Sequence, residues 1–332
     1  MPKLKMMKAL NEAVNEEMAR DEKVCIFGED IGAYGGVWGL SVGLQKKYGL
    51  RRVFDTPLAE SAIIGTAVGA AMAGMRPIAE LQYIDFVTEC MDPLVNQGSK
   101  LRFMSGGQIK VPMTIVAPCG AGTSEAAHHS NSLEAWFLNA PGLKVVMPST
   151  ISDFKGLLKS SIRDDNPVIF MWHKVLYDLE EEVPEGEWIV PLGKAAIRRE
   201  GTDITLVTYS LMARRSQTAA AMVADTISVE VIDLRTLNPL DLEAINASVR
   251  KTGRLLVVHE SPTRCGVGAD IVKQVVDSEF ERLKVAPKVL GGADLPIPFS
   301  KPLENACIPQ VEDIVREIKS MVGAATEVHA RP

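Results

Sequence analysis

The amino-acid sequence predicts an α/β fold of two domains, each with a mostly parallel sheet flanked by helices. Short apolar runs of strand length alternate with longer segments of helical periodicity along the chain. This alternation is typical of parallel sheets covered by helices on both faces. The length of 332 residues favours two domains over one. An acidic segment rich in Pro and Gly interrupts the alternation near the middle and marks a boundary.

The first half of the chain supplies the elements of the first predicted domain. Apolar residues recur at helical spacing near the start, at Met6, Met7, Leu10, Val14 and Met18. Strands are predicted at Val24–Phe27, Ile78–Leu81, Met113–Ala117, Lys144–Met147 and Val168–Met171. Helices are predicted at Lys3–Arg20, Ala62–Met75, Val87–Met104 and Ile151–Ile162. The glycine-rich loop Ile31–Gly39 carries Tyr34 and Trp38, which suit either a binding loop or a loop packed on its own domain.

The second half repeats the alternation after the acidic segment. Strands are predicted at Ile204–Tyr209, Ser228–Asp233, Arg254–His259 and Lys288–Leu290. Helices are predicted at Ala213–Asp225, Asp241–Thr252, Gly268–Leu283 and Val311–Met321. We therefore expect one domain over residues 1–177, a linker over 178–193 and a second domain over 194–332.

Composition excludes several functional classes. The chain is 46% hydrophobic and 23% charged, as in ordinary globular proteins. A net charge of −6 argues against a nucleic-acid partner, which requires a basic surface. No apolar run reaches the length of a membrane span or of a signal peptide core. Five cysteines without paired spacing suit a reducing cytoplasm and predict no zinc site.

The stretch Asp55–Phe86 places one carboxylate, Glu60, ahead of an apolar helical segment. No charge follows until Arg76, and a helix that is apolar on every side is predicted to be buried. Gly65 and Gly69 are four residues apart, so they share a face that another backbone could approach closely. Glu60 can be explained as a carboxylate that interacts with the helix dipole, and a catalytic acid is the alternative.

Two adjacent histidines, His128 and His129, lie in the segment Ser124–Trp136. Neighbours in sequence do not share a helix face, so a helical metal site is not predicted. Imidazole titrates near neutrality and therefore suits proton transfer in catalysis. A helix start with one hydrogen-bonded histidine is the structural alternative.

The spacing of Glu60, Gly65 and Gly69 resembles the glutamate–glycine signature of thiamine-diphosphate enzymes. The stretches DTPLAES, VGAAMAGMRPIAE and PGLKVVMPST resemble the β subunit of the decarboxylating component of 2-oxo acid dehydrogenase complexes. That family includes pyruvate, branched-chain and acetoin dehydrogenases, and the resemblance extends from about residue 8 to about residue 319. It implies a thiamine-diphosphate pyrimidine-type domain followed by a transketolase C-terminal-type domain.

The resemblance also implies roles for individual residues. It makes Glu60 and His129 catalytic, with His128 a structural neighbour, although Asn131 stands where the family usually has glutamine. The residues implied to bind the cofactor are Leu58, Glu60, Gln82 and Phe86. An aromatic ring such as Phe86 could stack on the pyrimidine, and plain core packing is the alternative.

A potassium site is implied near the end of the helix predicted at Ile151–Ile162. The matching ligands are Met113, Ser161, Ile162, Asp164 and Asn166. Oxygen ligands at a helix C-terminus suit a cation, because the helix dipole is negative there. The alternative is that Asn166 and Pro167 only end the helix.

The family also implies partners that this chain requires. The Gly-Asp-Gly stretch that holds magnesium in the family is missing, so an α subunit would hold the Mg²⁺ of the cofactor in an α2β2 heterotetramer. The implied reaction decarboxylates a small-molecule 2-oxo acid on thiamine diphosphate and transfers the acyl group to a lipoyl group of the acyltransferase component. Acetoin cleavage by the same chemistry is the alternative.

Two other classes of function remain open from the residues alone. A subunit that only docks the acyltransferase would not require Glu60 or His129. A free-standing dehydrogenase would need a dinucleotide motif, and neither Gly120-Ala121-Gly122 nor Gly266-Val267-Gly268 completes G-x-G-x-x-G. We expect a cytoplasmic protein with no nucleic-acid or membrane partner.

Overall fold

The computed structural model of the protein describes residues 2–328, with side chains described as far as residue 323. The chain divides into two compact units. The first runs to Cys119 and resumes over Trp136–Leu192. The second comprises Gly120–Ala135 and the chain from Gly193 onward. The segment that carries His129 thus belongs to the second unit.

The first unit is built on a parallel sheet. The strands of this unit are β1 (Lys3–Lys5), β2 (Val24–Gly28), β3 (Val53–Asp55), β4 (Arg76–Glu80), β5 (Thr114–Cys119), β6 (Lys144–Val146), β7 (Val168–His173) and β8 (Glu180–Glu182). Six of them form parallel pairs in the order β6-β7-β5-β4-β2-β3. Strands β1 and β8 form a separate antiparallel pair, in which Lys3 faces Glu182 and Lys5 faces Glu180.

Helices flank the parallel sheet of the first unit. They are α1 (Met6–Arg20), α2 (Leu44–Tyr48), α3 (Glu60–Met72), α4 (Leu101–Met104), α5 (Glu134–Leu138), which starts in the second unit, and α6 (Ile151–Arg163). Helix α1 packs against α6. Three short helical segments lie at Ile84–Cys90, Asp92–Gly98 and Lys174–Leu176.

Two helix predictions for this unit were wrong in detail. The first helix begins at Met6 because Lys3–Lys5 pair as a strand with β8. The single helix predicted at Val87–Met104 is three short segments, with Pro93 at the start of the middle one. Proline lacks the N–H that a continuous α-helix would use at that position.

The sequence had predicted that helix α3 is buried on every side. In the structure, one face of the helix is exposed. Its buried face consists of Ile63, Ile64, Ala67, Val68 and Ala71. The face exposed in this chain consists of Ser61, Ala62, Thr66, Gly69 and Met72. The helix ends at Met72, and Gly74 follows with a φ of +92° that favours glycine.

The second unit contains a five-stranded sheet in the order β14-β13-β10-β11-β9. The strands of the second unit are β9 (Ala196–Arg199), β10 (Ile204–Thr208), β11 (Val229–Asp233), β12 (Thr236–Asn238), β13 (Leu255–Pro262) and β14 (Lys288–Gly292), and β12 is not part of this sheet. Its helices are α7 (Ser210–Met222), α8 (Leu242–Thr252), α9 (Val267–Glu279), α10 (Lys301–Cys307) and α11 (Val311–Val328), with a short turn at Phe280–Arg282. All pairs in this sheet are parallel except β9 with β11.

In the second unit, β9, β12 and α10 were not predicted from the sequence. Strand β9 is an edge strand that contains two arginines, so its composition does not resemble that of the buried strands. Helix α10 has seven residues and carries Pro302 in its first turn, too short to show a clear helical period. No helix within residues 2–328 is long and apolar enough to cross a bilayer.

Candidate active site

The candidate site lies at the carboxyl ends of β2 and β4. Strand β2 pairs with β3 on one side and with β4 on the other, so the chain reverses its direction of progress across the sheet at this point. In open α/β sheets, ligands bind in the crevice outside the carboxyl ends of the strands at such a switch point. Glu29 follows β2, Glu80 ends β4, and Glu60 begins the helix after β3.

Gly28 lets the two strands meet closely at this edge. A Cβ atom at Gly28 would lie 2.8 Å from the carbonyl oxygen of Glu80 and 3.3 Å from Cγ1 of Ile31. A larger residue would therefore force β2 away from β4. Because Gly28 has no side chain, β2 and β4 can lie side by side up to their carboxyl ends. Glu29 and Glu80 are therefore found on neighbouring strand ends.

Both of these carboxyl groups are buried. The Glu80 side chain is 2% exposed, and burial, with a smaller effect from the Glu29 charge, raises its pKa to about 8. Burial also raises the pKa of Glu29, helped by the charges of Glu60 and Asp30. Oε1 of Glu29 and Oε2 of Glu80 have no hydrogen-bond partner among the described residues. Glu80 therefore keeps its proton at neutral pH.

Glu60 lies at the N-terminus of α3, where it is half-buried. Its charge contributes to the raised pKa of Glu29. It also contributes to the raised pKa of the Cys90 thiol, for which burial is the larger cause and which reaches about 12. Glu60 is therefore within electrostatic range of the β2 edge. Leu58, two residues before it, is 82% exposed and offers an apolar side chain on the outside of this chain.

An aromatic cluster borders the same edge. The ring of Phe86 meets that of Tyr83 edge-on at 5.6 Å, and Trp38 meets Tyr83 at 5.7 Å. Nε1 of Trp38 donates to the carbonyl oxygen of Gln82 over 3.1 Å. Trp38 is thus packed on its own unit, whereas Tyr34 in the same loop is 72% exposed. Phe86 and Gln82 are both half-buried, so Phe86 packs on Tyr83 and still has accessible surface.

The predicted potassium ligands gather around the end of α6. The carbonyl oxygens of Ile162 and Asp164 both accept hydrogen bonds from one guanidinium nitrogen of Arg76, at 3.1 and 2.9 Å. Arg76 also pairs with Asp165 at 2.7 Å. The carbonyl oxygens at the end of α6 therefore point toward the positive guanidinium of Arg76, as expected at the negative end of a helix dipole.

The other predicted ligands also accept hydrogen bonds here. The Met113 carbonyl accepts from the N–H of Val168 at 2.9 Å, and the Ser161 carbonyl accepts from that of Asp164 at 3.2 Å. Oδ1 of Asn166 accepts from Arg102 at 2.7 Å. A carbonyl oxygen has a second lone pair, so these bonds leave it able to contact a cation. No group of three or more His, Cys, Asp or Glu side chains suited to a metal ion occurs within residues 2–323, where side chains are described.

His129 lies in the loop of the second unit formed by Gly120–Ala135. Its side chain is half-buried, whereas that of His128 is exposed. The backbone N–H of His129 donates to the carbonyl of Ala126 at 3.3 Å. Nδ2 of Asn131 donates to the carbonyl of Ala127 at 2.7 Å. The side chain that stands in place of the family's glutamine therefore helps to fold the loop.

Sequence reasoning missed Glu29 and Glu80 as members of the candidate site. The signal was present, because each carboxylate directly follows or ends a strand of apolar residues. Single acidic residues at strand ends are common in loops, so only the adjacency of β2 and β4 distinguishes this pair.

Comparisons with known proteins agree with this architecture. Residues 2–180 match the transketolase pyrimidine-binding domain, and residues 193–314 match the transketolase C-terminal domain. A solved structure described as a split-gene transketolase, an inactive β4 tetramer, superposes with a TM-score of 0.78 at 21% identity, covering 96% of this chain and 99% of the other. The predicted α/β fold with two domains of these types is confirmed.

Curated relatives match over nearly their whole length. The β subunit of acetoin:2,6-dichlorophenolindophenol oxidoreductase from Cupriavidus necator is 48% identical, with 94% of this chain and 95% of the relative covered. The pyruvate dehydrogenase E1 β subunit from Bacillus subtilis (strain 168) is 43% identical, with 97% and 99% covered. Mitochondrial pyruvate dehydrogenase E1 subunit β-1 from Arabidopsis thaliana is 43% identical, with 94% and 87% covered.

Replacing Glu80 by Gln is expected to remove a pH-dependent loss of stability. The pKa of Glu80 in the folded chain, about 8, exceeds its ordinary value of 4.5. Its contribution to stability is therefore fully present below about pH 4.5 and is lost as the pH rises through about 8. The full displacement corresponds to up to about 5 kcal/mol. The melting temperature of the wild type should fall between about pH 6 and about pH 9. That of Glu80→Gln should fall much less over the same range.

The exposed Glu89 provides the control, since its carboxylate is solvated in the folded chain. Glu89→Gln should keep the pH dependence of the wild type. An unchanged difference in melting temperature in Glu80→Gln would show that Glu80 is ionised without cost at neutral pH.

Proposed function

The chain belongs to the family of transketolase-type β subunits that includes pyruvate dehydrogenase E1 β and acetoin oxidoreductase β, and we propose that it is the β subunit of a thiamine-diphosphate-dependent 2-oxo acid dehydrogenase. The observation that carries the proposal is the position of Glu60. It begins the helix beside the switch point of a sheet that matches the pyrimidine-binding family. Within this function, residues 1–177 form the pyrimidine-type domain, 178–193 a linker and 194–332 the C-terminal-type domain.

Glu60 is assigned to activation of the cofactor. Bound thiamine diphosphate supplies the carbon nucleophile and the electron sink for decarboxylation of a 2-oxo acid. The Glu60 carboxyl would hydrogen-bond the aminopyrimidine ring nitrogen and favour the imino form. Leu58, Gln82 and the accessible face of Phe86 would line the pyrimidine. The apolar wall around Tyr83 and Trp38 supports an environment that excludes water there.

His129 is assigned to proton transfer at the reacting centre. An imidazole ring can both accept and donate a proton, which suits it to general acid–base catalysis. The loop that carries it is folded by its own hydrogen bonds rather than by a regular helix. The acyl group would then pass to a lipoyl group of the acyltransferase component.

The cofactor site requires a second subunit. A diphosphate needs a divalent cation with oxygen ligands, and the chain contains no Gly-Asp-Gly stretch to hold Mg²⁺. An α subunit would supply these ligands in an α2β2 heterotetramer. The exposed face of α3, with Ala62, Thr66 and Gly69, offers small side chains against which another backbone could pack.

Acetoin is the second candidate substrate. The acetoin oxidoreductase β subunit is 48% identical to the chain, against 43% for the Bacillus subtilis pyruvate dehydrogenase subunit. Turnover of pyruvate, branched 2-oxo acids and acetoin by the reconstituted tetramer would decide between them. Failure of all three substrates, with bound cofactor and assembled subunits, would contradict the proposed function.

Glu60→Gln is expected to lower turnover by about a hundredfold or more, because a general acid–base contributes on this order. Folding and assembly should be unchanged. Glu312 is a matched control, since it is an exposed glutamate in the first turn of another helix, α11. If Glu60 served only the helix dipole, Glu60→Gln and Glu312→Gln would both keep wild-type turnover in the steady-state assay.

Purified without a partner, the chain should bind magnesium thiamine diphosphate weakly or not at all. The diphosphate would lack its cation ligands, and addition of the α subunit should restore binding and activity together. Isothermal titration calorimetry on the isolated chain measures this directly. Micromolar affinity without a partner would contradict the split site.

Potassium should raise the melting temperature of the chain more than sodium does at equal ionic strength. A cation that binds only the folded state stabilises it by mass action. The carbonyl oxygens of Ile162 and Asp164 accept hydrogen bonds from Arg76, and each keeps a second lone pair that could contact a cation. Asn166→Ala should reduce the difference between the two salts. Equal melting temperatures of the wild type in both salts would count against the site.

A further inference from the structure

The loop that carries His129 is closed at its neck by one buried carboxylate. Oε1 of Glu260 accepts hydrogen bonds from the N–H of Ala121 at 2.6 Å and from the hydroxyl of Ser132 at 3.3 Å. The N–H of Gly120 donates to the carbonyl of Asn131 at 3.0 Å. The first arm of the loop, which begins at Gly120, is therefore bound to the second arm at Asn131 and Ser132.

A second carboxylate, that of Glu304 on α10, holds the first arm of the loop. Its side chain is fully buried. Its oxygens accept from the N–H of Gly122 at 2.6 Å and from the N–H of Ser124 at 3.1 and 3.2 Å. The Ser124 hydroxyl adds a contact at 3.3 Å, and the Lys301 ammonium contacts both Glu304 and the Gly122 carbonyl.

These donors keep Glu304 ionised in spite of its burial. Burial alone would raise its pKa, but the N–H groups of Gly122 and Ser124 and the charge of Lys301 outweigh it, so the pKa is lowered. An ionised carboxylate accepts hydrogen bonds only, and such charge-assisted bonds are stronger than neutral ones. Glu304 contrasts in this respect with the buried Glu80, whose pKa is raised.

The loop needs this support because its backbone is strained. Ser124 and Ala126 have φ values of +58° and +62°, in the left-handed region that residues with a Cβ rarely occupy. Each such residue costs on the order of 1–3 kcal/mol and persists only where its surroundings determine it. The carbonyl of strained Ala126 accepts from the N–H of His129, so the strained segment adjoins the histidine directly.

The far end of the loop is fixed independently. The hydroxyl of Tyr209 donates to Oε1 of the fully buried Glu134 at 2.7 Å. His129 thus lies between a rigid end at Glu134 and an arm whose conformation depends on Glu304.

We propose that Glu304 is a positioning residue that fixes the strained arm of this loop and thereby sets the orientation of His129. The inference rests on the proposed function of His129 in proton transfer. Glu304 contacts backbone groups of the loop and takes no part in the chemistry itself. Its carboxylate is needed because the N–H groups of Gly122 and Ser124 must both be satisfied by one acceptor-only group.

Glu304→Gln tests the proposal in the assembled enzyme. The amide replaces one acceptor oxygen with a donor and removes the charge, so the arm should relax. We expect kcat to fall about tenfold or more with a smaller change in KM, and hydrogen–deuterium exchange to quicken at residues 121–124. Glu279→Gln is the matched control, since Glu279 is a buried glutamate of the same unit whose carboxylate pairs with Arg250. It should leave kcat and loop exchange unchanged.

A double-mutant cycle separates positioning from general destabilisation. If Glu304 acts through His129, adding Glu304→Gln to His129→Ala should lower kcat no further. Additive losses, or wild-type kcat in Glu304→Gln, would overturn the proposal. Should Glu304→Gln fail to assemble, Lys301→Ala removes a contact from the half-exposed side and should show the same non-additivity. A wild-type tetramer without turnover would instead indicate that the proposed function has failed, while loop exchange still reports on the arm.

Discussion

The parallel pairing of β2 with β4 is the contact on which the candidate site depends. Gly28 permits this pairing at its carboxyl end, where a Cβ would meet the Glu80 carbonyl at 2.8 Å. The pairing brings the strand ends that carry Glu29 and Glu80 together, and β3 on the other side of β2 leads into the helix headed by Glu60. A displacement of one strand would therefore alter all three carboxyl groups at once.

Burial acts differently on the carboxyl groups of Glu80 and Glu304, because their hydrogen-bond donors differ. Oε2 of Glu80 has no partner among the described residues, so burial raises its pKa to about 8 and the group is protonated at neutral pH. Glu304 is equally buried but accepts from backbone N–H groups, which lower its pKa. The first group can hold a proton beside the candidate site, and the second can hold a strained loop. The same residue type thus serves two tasks, according to the hydrogen-bond donors around it.

The exposed face of α3 connects the fold with the proposed assembly. Its buried face is made of aliphatic residues, and its exposed face consists of Ser61, Ala62, Thr66, Gly69 and Met72. A helix that is apolar in sequence but open on one side in the single chain is consistent with a partner that covers it. This agrees with the proposal that an α subunit completes the cofactor site.

The sequence by itself determined the α/β class and most strands and predicted Glu60 as a site residue, because hydrophobic periodicity and local spacing depend only on neighbours along the chain. It also predicted His129, through family resemblance, as a candidate that still awaits a test. Tertiary structure decided which strand ends meet, and so revealed Glu29 and Glu80 beside Glu60. It also decided that Glu304 reaches the loop of Ser124, some 180 residues earlier in the chain. Such contacts depend on how distant segments pack, and no local pattern in the sequence records them.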